Sequence, residues 1–478
     1  MYVLEDGRAK PVLVLICFLL NSVHCQYSVP DVTIEKLTPK GVRVSIPDAP
    51  SMSLFVFQGN VNRDIGKTDV GTISGEVTSP ANGRWTFEDP NVELKNGDVI
   101  KYYVFGSINR VGYMKDNLSY TVTDTPVSNI DNCLPSLTQI RGSSRKICSG
   151  EAIFNDDFST LNQDVWQIEQ KLPIDHPEYP FVSYQRPTKV PTVKAEDGML
   201  TIKPHLQQFA PGFNNDSIYS GTLDLYDGCT EDAHACSMMA DGANILPPIV
   251  SGRISSKGFA FKFGTVTVRA KLPQGDWIYP EMLLEPFMYK YGRSHFASGV
   301  IKIASARGNN QLYLGPSQYG NKVLYGGPII DFKCSDMFLK SKVNGERNWG
   351  DDFHNYAARW EPDRIRFLVD DVEWARVDIK GLGDQLSRTK CPDAPHTLWA
   401  TGEKWAPFDE YFYLTLGVAA GGVLDFRDGL YTNQGLPKPW TNLNSKAKLR
   451  FWQDLDKWYQ TWNKDSVLTV DSVKVTAL

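Results

Sequence analysis

The chain has 478 residues, of which 42% are hydrophobic and 12% aromatic, and its formal net charge is −5. This length and hydrophobic fraction suffice for two or three domains with ordinary cores. Because the net charge is small and no run of basic residues occurs, the composition argues against a nucleic-acid-binding protein. The aromatic content is typical of a β-rich protein, and it also supplies rings that can pack against the apolar faces of sugars.

An apolar run, Pro11–Leu20, lies near the start of the chain. It is shorter than the about 20 residues that a membrane-spanning helix needs. The run and the residues after it predict a signal peptide over residues 1–25, with cleavage near Cys25–Gln26, and therefore a secreted protein. The sequence shows no second apolar stretch that would predict a membrane span.

Six of the eight cysteines follow the predicted signal peptide. An even number is typical of disulfides formed in an oxidising compartment. The spacing of cysteines and histidines fits no metal site, and no motif predicts a cofactor. Asn117 and Asn215 each begin a glycosylation sequon, as expected of a surface position in a secreted protein. The order of the cysteines favours three local pairs but leaves other connectivities open: Cys133–Cys148, Cys229–Cys236 and Cys334–Cys391.

Short alternating segments fill residues 26–124 and are separated by turn signals such as Asn82-Gly83. Strands at this spacing predict an immunoglobulin-like β-sandwich. Residues 125–150 are rich in Ser, Asn, Pro and Arg without an apolar period, and they predict a linker. Residues 151–478 predict one further β-rich unit, since a single sandwich of this length is common.

Several blocks in residues 151–478 together resemble the laminarinase-like glycoside hydrolases, which cut β-1,3-glucans from inside the chain. The resemblance implies a concanavalin-like β-jelly-roll sandwich with a sugar cleft that contains Trp277. The blocks, in chain order, are 263–273, 275–277, 353–356, 360–367, 407–409 and 421–422.

The segment 298–309 resembles the catalytic strand of these enzymes, but it lacks their acids. The family places Glu, Asp and Glu where this chain has Val300, Lys302 and Ser305. A retaining glycosidase needs an ionised carboxylate and a protonated carboxyl about 5–5.5 Å apart. A hydrocarbon, an ammonium group and a hydroxyl cannot replace them, so the sequence predicts no hydrolase activity. Restoring the three acids is expected to restore weak cleavage.

The alternative is a secreted endo-β-1,3-glucanase that uses displaced carboxylates. Glu281 and Glu285 are the candidates because they share one face of a predicted strand. They lie on the segment before the resembling catalytic strand, and the sequence favours a role for them as rim or loop carboxylates. A structural matrix or storage protein is a third alternative, which the ordered cleft blocks disfavour.

Blocks 32–37, 39–48, 82–87 and 112–117 resemble the amino-terminal module of insect β-1,3-glucan recognition proteins, also called Gram-negative-bacteria-binding proteins. This resemblance implies glucan binding through an aromatic strand flanked by charged groups. Tyr103 and Phe105 share a face and are the expected stacking rings, with core packing as the alternative. The full set of implied glucan-binding residues is Thr72, Glu76, Tyr103, Phe105, Tyr113, Lys115 and Asp116.

The sequence therefore predicts a secreted, non-catalytic pattern-recognition receptor of two β domains. The resemblance implies that it binds β-1,3-glucan and other microbial wall polysaccharides in the haemolymph. It also implies that the protein triggers an innate immune cascade of serine proteases. No cofactor, metal, nucleic acid or membrane span is expected.

Overall fold

The computed structural model describes residues 29–478 apart from 38–39, 49–50, 81–83, 110, 123–133, 144, 383–390, 392–393 and 433. The predicted signal peptide and Cys133 lie outside the described residues. The chain forms two compact units, residues 1–129 and residues 130–478. None of the described helices is long and apolar enough to cross a membrane.

The described part of the first unit is built from β-strands. Residues on alternate positions of these strands are buried, as expected when one face of each sheet covers a core. The strands are β1 (Thr33–Lys36), β2 (Val42–Pro47), β3 (Met52–Val61), β4 (Ile73–Val77), β5 (Arg84–Asp89), β6 (Val99–Ile108) and β7 (Val111–Thr121).

These strands form two antiparallel sheets, one in the order β1-β2-β5 and the other in the order β4-β3-β6-β7. The core between them includes Val44, Phe55, Phe57 and Trp85. The ring of Phe57 stacks on Tyr102, with centroids 5.0 Å apart. This arrangement confirms the predicted β-sandwich.

The second unit contains most of the strands and the described helices. The strands with five or more residues are β9, β20, β21, β22, β25, β27, β28, β29, β30 and β32. The elements are β8 (Gln139–Ile140), β9 (Ala152–Asp156), β10 (Gln167–Ile168), β11 (Val182–Tyr184), β12 (Val193–Glu196), β13 (Met199–Ile202), β14 (His205–Leu206), α1 (Asn215–Ser220), β15 (Thr222–Asp224), β16 (Ser237–Met239), β17 (Ile249–Ser251), β18 (Arg253–Ser255), β19 (Phe261–Lys262), β20 (Gly264–Lys271), β21 (Ile278–Pro286), β22 (Val300–Ser305), β23 (Leu312–Leu314), β24 (Ser317–Gln318), β25 (Val323–Ile329), β26 (Lys340–Val343), β27 (His354–Trp360), β28 (Arg364–Val369), β29 (Val372–Asp378), α2 (His396–Trp399), β30 (Phe412–Ala420), β31 (Tyr431–Thr432), α3 (Ala447–Gln453), α4 (Leu455–Trp458) and β32 (Leu468–Thr476).

Two large antiparallel sheets dominate this unit. The nine-stranded sheet has the order β10-β18-β30-β21-β22-β25-β26. In addition, β19 pairs with β30, and β8 pairs with β19. The eight-stranded sheet has the order β12-β13-β32-β20-β27-β28-β29, with β9 beside β32. One core cluster joins side chains of both sheets, such as Met282 and Ile301 with Val266 and Ile365. Two sheets packed in this way confirm the predicted jelly-roll sandwich.

The predicted linker differs from the structure in its second half. Residues 134–150 contain β8, which pairs with β19 at Phe261. The guanidinium of Arg141 lies 3.8 Å from the centroid of the Phe287 ring, and the backbone N–H of Gly150 donates to the carbonyl of Ala477. The sequence does not predict this strand, because a strand of two residues is too short to show alternation of apolar and polar residues.

Two of the predicted disulfides are present, Cys229–Cys236 and Cys334–Cys391. Cys148 is also a disulfide cysteine, and its predicted partner Cys133 lies outside the described residues. Both sequon asparagines, Asn117 and Asn215, are exposed, and their glycosylation stays a prediction.

Trp85 gives a test of the first unit's core. Its side chain is fully buried and its indole N–H donates to Asp48 Oδ1 at 2.7 Å. Trp85→Ala should lower the free energy of unfolding of this unit by about 3–5 kcal/mol, since large-to-small changes leave a cavity. Amide hydrogen exchange of peptides from residues 52–61 in the full chain measures this. Trp85→Phe should cost less, and unchanged protection in Trp85→Ala would contradict the core assignment.

Candidate functional site

The outer face of the four-stranded sheet in the first unit carries most of the predicted glucan-binding residues. Cross-strand partners lie on the same face of a sheet. Val56 is paired with Glu76 on one side and with Phe105 on the other, and Phe105 is paired with Met114. These four side chains form one row across β4, β3, β6 and β7. We call this surface the outer face.

Phe105 and Met114 supply apolar area in this row. Phe105 is half-buried, and Met114 is exposed. Gly112 lies against the Phe105 ring, where an added Cβ would approach ring carbon Cε2 to 2.6 Å. The absence of a side chain at position 112 therefore leaves room for the phenylalanine ring beside β7.

Tyr103 occupies the neighbouring row but is largely covered. It is paired with Gln58, and only 9% of its surface is exposed. Its hydroxyl donates to the backbone carbonyl of Asp69 at 3.0 Å. Tyr103 thus fixes the loop between β3 and β4 against the outer face, and Phe105 has the more accessible ring of the two predicted stacking residues.

Charged groups frame these rings. Glu76 and Thr72 are exposed on β4 and just before it, and the backbone N–H of Thr72 donates to Asn60 Oδ1 at 2.9 Å. Asp116, on β7, forms an ion pair with Lys67 of the β3–β4 loop. No pattern in the sequence indicates Lys67, because a partner in a loop is brought to β7 only by the folded chain.

Two predicted binding residues face the other way, which corrects their assignment. Tyr113 is paired with Gly106 and packs against the core of the first unit. Lys115 is paired with the buried Val104, and its ammonium group lies 2.8 Å from Asp31 Oδ1. Because successive strand residues alternate between faces, neither shares the outer face with Phe105 and Met114.

In the second unit, Val300, Lys302 and Ser305 lie on one face of β22. Their partners on β25 are Ile329, Gly327 and Tyr325, which alternate by two, and a bulge between Lys302 and Ser305 absorbs the extra residue. The three positions of the missing acids therefore point to the same side, as the resemblance implies. Ile301 and Ile303 point to the core instead.

Lys302 is held by carboxylates in a buried ion-pair cluster. Its Nζ lies 3.0 Å from Asp425 Oδ2 and 3.8 Å from Glu178 Oε1, and only 4% of the residue is exposed. Burial alone would lower the pKa of Lys302, but the two carboxylates outweigh it and hold the pKa above its ordinary value. Lys302 is therefore a fixed cation at the position where the family resemblance implies an acid.

The neighbours of Lys302 complete this cluster. Burial would raise the pKa of Asp425, but Lys302 and Arg307 outweigh it and lower the pKa. Burial raises the pKa of Glu178, whose Oε2 accepts a hydrogen bond from the Tyr279 hydroxyl at 3.0 Å. We call the residues Glu178, Lys302, Arg307 and Asp425 the Lys302 cluster.

The other two positions are equally unsuited to acid–base chemistry. Val300 is buried and packs with Leu283 and Ile329. Ser305 is buried, and its hydroxyl donates to the backbone carbonyl of Pro280 at 3.2 Å. A serine that donates its proton to a carbonyl, without a base beside it, has no route to become a nucleophile.

The displaced acids of the alternative, Glu281 and Glu285, are tied to Arg253. The Arg253 Nη2 lies 2.7 Å from Glu285 Oε2, and its Nε lies 3.4 Å from Glu281 Oε2. Gly417 lies between Arg253 and Glu281 on β30, and an added Cβ there would come within 2.6 Å of Glu281 Oε2. Only glycine leaves room for this contact.

The pKa values of these two acids move in opposite directions. Burial raises the pKa of Glu281 more than Arg253 lowers it. At Glu285 burial also acts to raise the pKa, but Arg253, Lys171 and the Thr415 hydroxyl together outweigh it and lower the pKa. Opposed shifts are typical of a glycosidase pair. Here, however, Glu281 Oε2 also accepts a hydrogen bond from the Tyr184 hydroxyl at 2.8 Å, and both acids are buried. Their oxygens contact Arg253, Tyr184 and Thr415, and Glu285 also lines a pocket of about 460 Å³.

Trp277 is placed in the core rather than in a cleft, which corrects the prediction. It is 2% exposed, and its ring packs edge-on against Phe426 and Trp440, with centroids 5.3 and 5.2 Å apart.

The only group of metal-type donors among the described residues is Asp331 with Cys334 and Cys391, and those two sulfurs form a disulfide. A disulfide sulfur is not a thiolate ligand.

The Lys302 cluster changes what restoring the acids should do. In Val300→Glu/Lys302→Asp/Ser305→Glu, the new aspartate would join Asp425 and Glu178 without a lysine between them. We expect no sugar release from laminarin and a loss of about 3–5 kcal/mol or more in the free energy of unfolding, as for other broken buried ion pairs. Thermal denaturation and a reducing-end assay measure both.

A matched variant separates repulsion from simple loss of the cation. Lys302→Met should be less destabilised than the triple variant, because it adds no charge. Adding Asp425→Asn and Glu178→Gln to the triple variant should recover stability. Steady turnover by the triple variant alone would contradict this account of the cluster.

Each of the two units contains a segment that matches the model of a known protein family. The model for carbohydrate binding domain (family 32) matches residues 28–143, and the model for glycosyl hydrolases family 16 matches residues 332–406. A β-1,3-glucan-binding protein of Hyphantria cunea is 54% identical, over 98% of this chain and 100% of its own length. Among solved structures, the laminarinase catalytic domain of Thermotoga maritima aligns with 69% of this chain and 98% of its own, at 17% identity and a TM-score of 0.43.

Two further relatives are more distant but equally extensive. The β-1,3-glucan-binding protein of Tenebrio molitor is 34% identical over 98% of this chain and 100% of its own length. The Gram-negative bacteria-binding protein 1 of Drosophila melanogaster is 33% identical over 98% of this chain and 99% of its own. Since these similarities run through both units, the chain belongs to the family of β-1,3-glucan-binding and Gram-negative bacteria-binding proteins.

Proposed function

We propose that the protein binds β-1,3-glucan through the outer face of its first unit and acts as a secreted recognition protein. The observation that carries the proposal is the row formed by Glu76, Val56, Phe105 and Met114. This row lies within the residues that the carbohydrate binding domain model matches. The relatives that share the whole chain are named for β-1,3-glucan and for Gram-negative bacteria.

The chemistry of the row suits a glucan. A sugar ring presents apolar C–H faces, which pack on an aromatic ring, and hydroxyls, which bond to carboxylates and hydroxyls. Phe105 supplies the ring, while Glu76 and Thr72 supply exposed acceptors and a donor on the same side. A flat outer face of this kind gives weak contact with one sugar, but repeated contact along a polymer raises the overall affinity.

The proposed role needs no catalysis by the second unit. Lys302 in its ion pairs, the buried Val300 and the hydrogen-bonded Ser305 support a protein without hydrolase activity. The glucanase alternative is less well supported, because Glu281 and Glu285 are both buried against Arg253. The relatives of full length are likewise named as binding proteins.

Secretion and signalling complete the proposal. Disulfides Cys229–Cys236 and Cys334–Cys391 suit an extracellular protein, as does the predicted signal peptide. Recruitment of serine proteases in an innate immune cascade follows from the family resemblance, and so do a location in haemolymph and binding of other microbial wall polysaccharides.

Binding to insoluble curdlan, a β-1,3-glucan, tests the site. Phe105→Ala should weaken retention of the full chain on curdlan by about tenfold, because the accessible ring of the outer face is lost. Glu76→Gln should weaken it less, since an amide keeps one oxygen acceptor. Tyr103→Phe should weaken it modestly by releasing the loop that its hydroxyl holds at Asp69. Bound and free protein after sedimentation give the affinities.

Controls come from the same unit. Glu93→Gln removes an exposed acid outside the outer face and should leave retention unchanged. Tyr113→Phe should also have no effect, because Tyr113 packs against the core. If Phe105→Ala binds curdlan as tightly as the unaltered chain while remaining folded, the outer face is not the glucan site.

A further inference from the structure

An aromatic pocket lies in the second unit, on segments that take no part in the nine-stranded sheet. It is formed by the chain before β12, the residues from the end of β13 to just after β14, and the residues that lead into β32. Its volume is about 320 Å³, within the range of small-molecule sites. It is lined by Lys189, Val190, Pro191, Lys203, Pro204, His205, Leu206, Phe209, Tyr459, Trp462, Asn463 and Ser466.

The pocket presents aromatic rings that the core holds in place. Trp462 packs against Tyr459 and against the buried Trp458, with centroids 5.7 and 5.3 Å apart. Trp458 in turn stacks on Phe451 at 4.5 Å. Phe209 is 69% exposed, so its ring is open to contact with a ligand. Rings fixed before binding lose little conformational entropy when a sugar packs on them.

The charge of the pocket is positive in a chain whose net charge is −5. Lys189 and Lys203 both line it and are exposed. In the part of the chain that the structure describes, neither lysine has an ion-pair partner, and no carboxylate lines the pocket. Two unneutralised ammonium groups beside aromatic rings favour an anionic ligand over a neutral one.

Polar groups that can bond to hydroxyls complete the lining. The His205 Nε2 lies 3.3 Å from the carbonyl of Pro191, so this nitrogen carries the proton and Nδ1 is left as an acceptor. Burial lowers the pKa of His205, which keeps the ring neutral. Asn463 also lines the pocket, with its Oδ1 accepting the backbone N–H of Asp465 at 2.7 Å and its Nδ2 donating to the Thr461 carbonyl at 3.5 Å.

We propose that this pocket binds an anionic saccharide, a sugar ring that carries a carboxylate, at a site separate from the outer face. The rings of Trp462, Tyr459 and Phe209 pack on the sugar, and Lys189 and Lys203 bind its acid group. The proposal does not depend on glucan binding by the first unit. A protein with both sites engages neutral and acidic wall polymers through different units.

Isothermal titration of the full chain with trigalacturonic acid tests the pocket. The acidic trisaccharide should bind more tightly than the neutral laminaritriose at this site. Lys189→Gln/Lys203→Gln should weaken trigalacturonic acid binding at least tenfold, and raising the salt from about 50 mM to about 500 mM should weaken it in the unaltered chain. Phe209→Ala should weaken it about fivefold, because an aromatic contact is lost.

The matched control is Lys340→Gln/Lys342→Gln, which removes two exposed lysines of β26 away from the pocket and should leave binding unchanged. Curdlan retention should be the same in all these variants, which separates this site from the outer face. The proposal is overturned if trigalacturonic acid fails to bind. It is also overturned if sulfate competes equally well, or if the two lysine pairs have equal effects.

Discussion

The second unit depends on the way it neutralises charge on one face of its nine-stranded sheet. Lys302 lies between Asp425 and Glu178, and Arg253 lies among Glu169, Glu281 and Glu285. Buried charges are tolerated only when they are paired and hydrogen-bonded. Each cation therefore links several strands and loops at once.

This constraint explains how a lysine is accommodated on β22 at a position where the family resemblance implies an acid. Val300, Lys302 and Ser305 lie on one side of the strand, with a bulge before Ser305. A buried lysine on this strand requires acids around it, and Asp425 and Glu178 supply them. These side chains form a buried ion-pair cluster that also includes Arg307.

In the first unit, by contrast, a ring and polar groups remain accessible on the outer face. Its core is closed by Phe57, Tyr102 and Trp85, whereas Phe105 on the outer face packs only partly. Tyr103 is buried beneath the β3–β4 loop, and its hydroxyl anchors that loop at Asp69. Tyr102 faces the core because strand residues alternate between faces. Tyr103 and Phe105 share the other face, and only Tyr103 is covered by the β3–β4 loop.

By itself the sequence predicted the two β domains, favoured the two local disulfides that the structure contains, and showed no acid at Val300, Lys302 and Ser305. Alternation, cysteine order and block resemblance are local properties of the chain. Only the tertiary structure decided the rest. Trp277 is a core residue, Tyr113 and Lys115 face away from Phe105, and β8 belongs to the second unit. The partners of Lys302 lie more than a hundred residues away along the chain, and pairing at such a distance is set by packing. A local sequence pattern does not predict which carboxylate forms an ion pair with a buried cation.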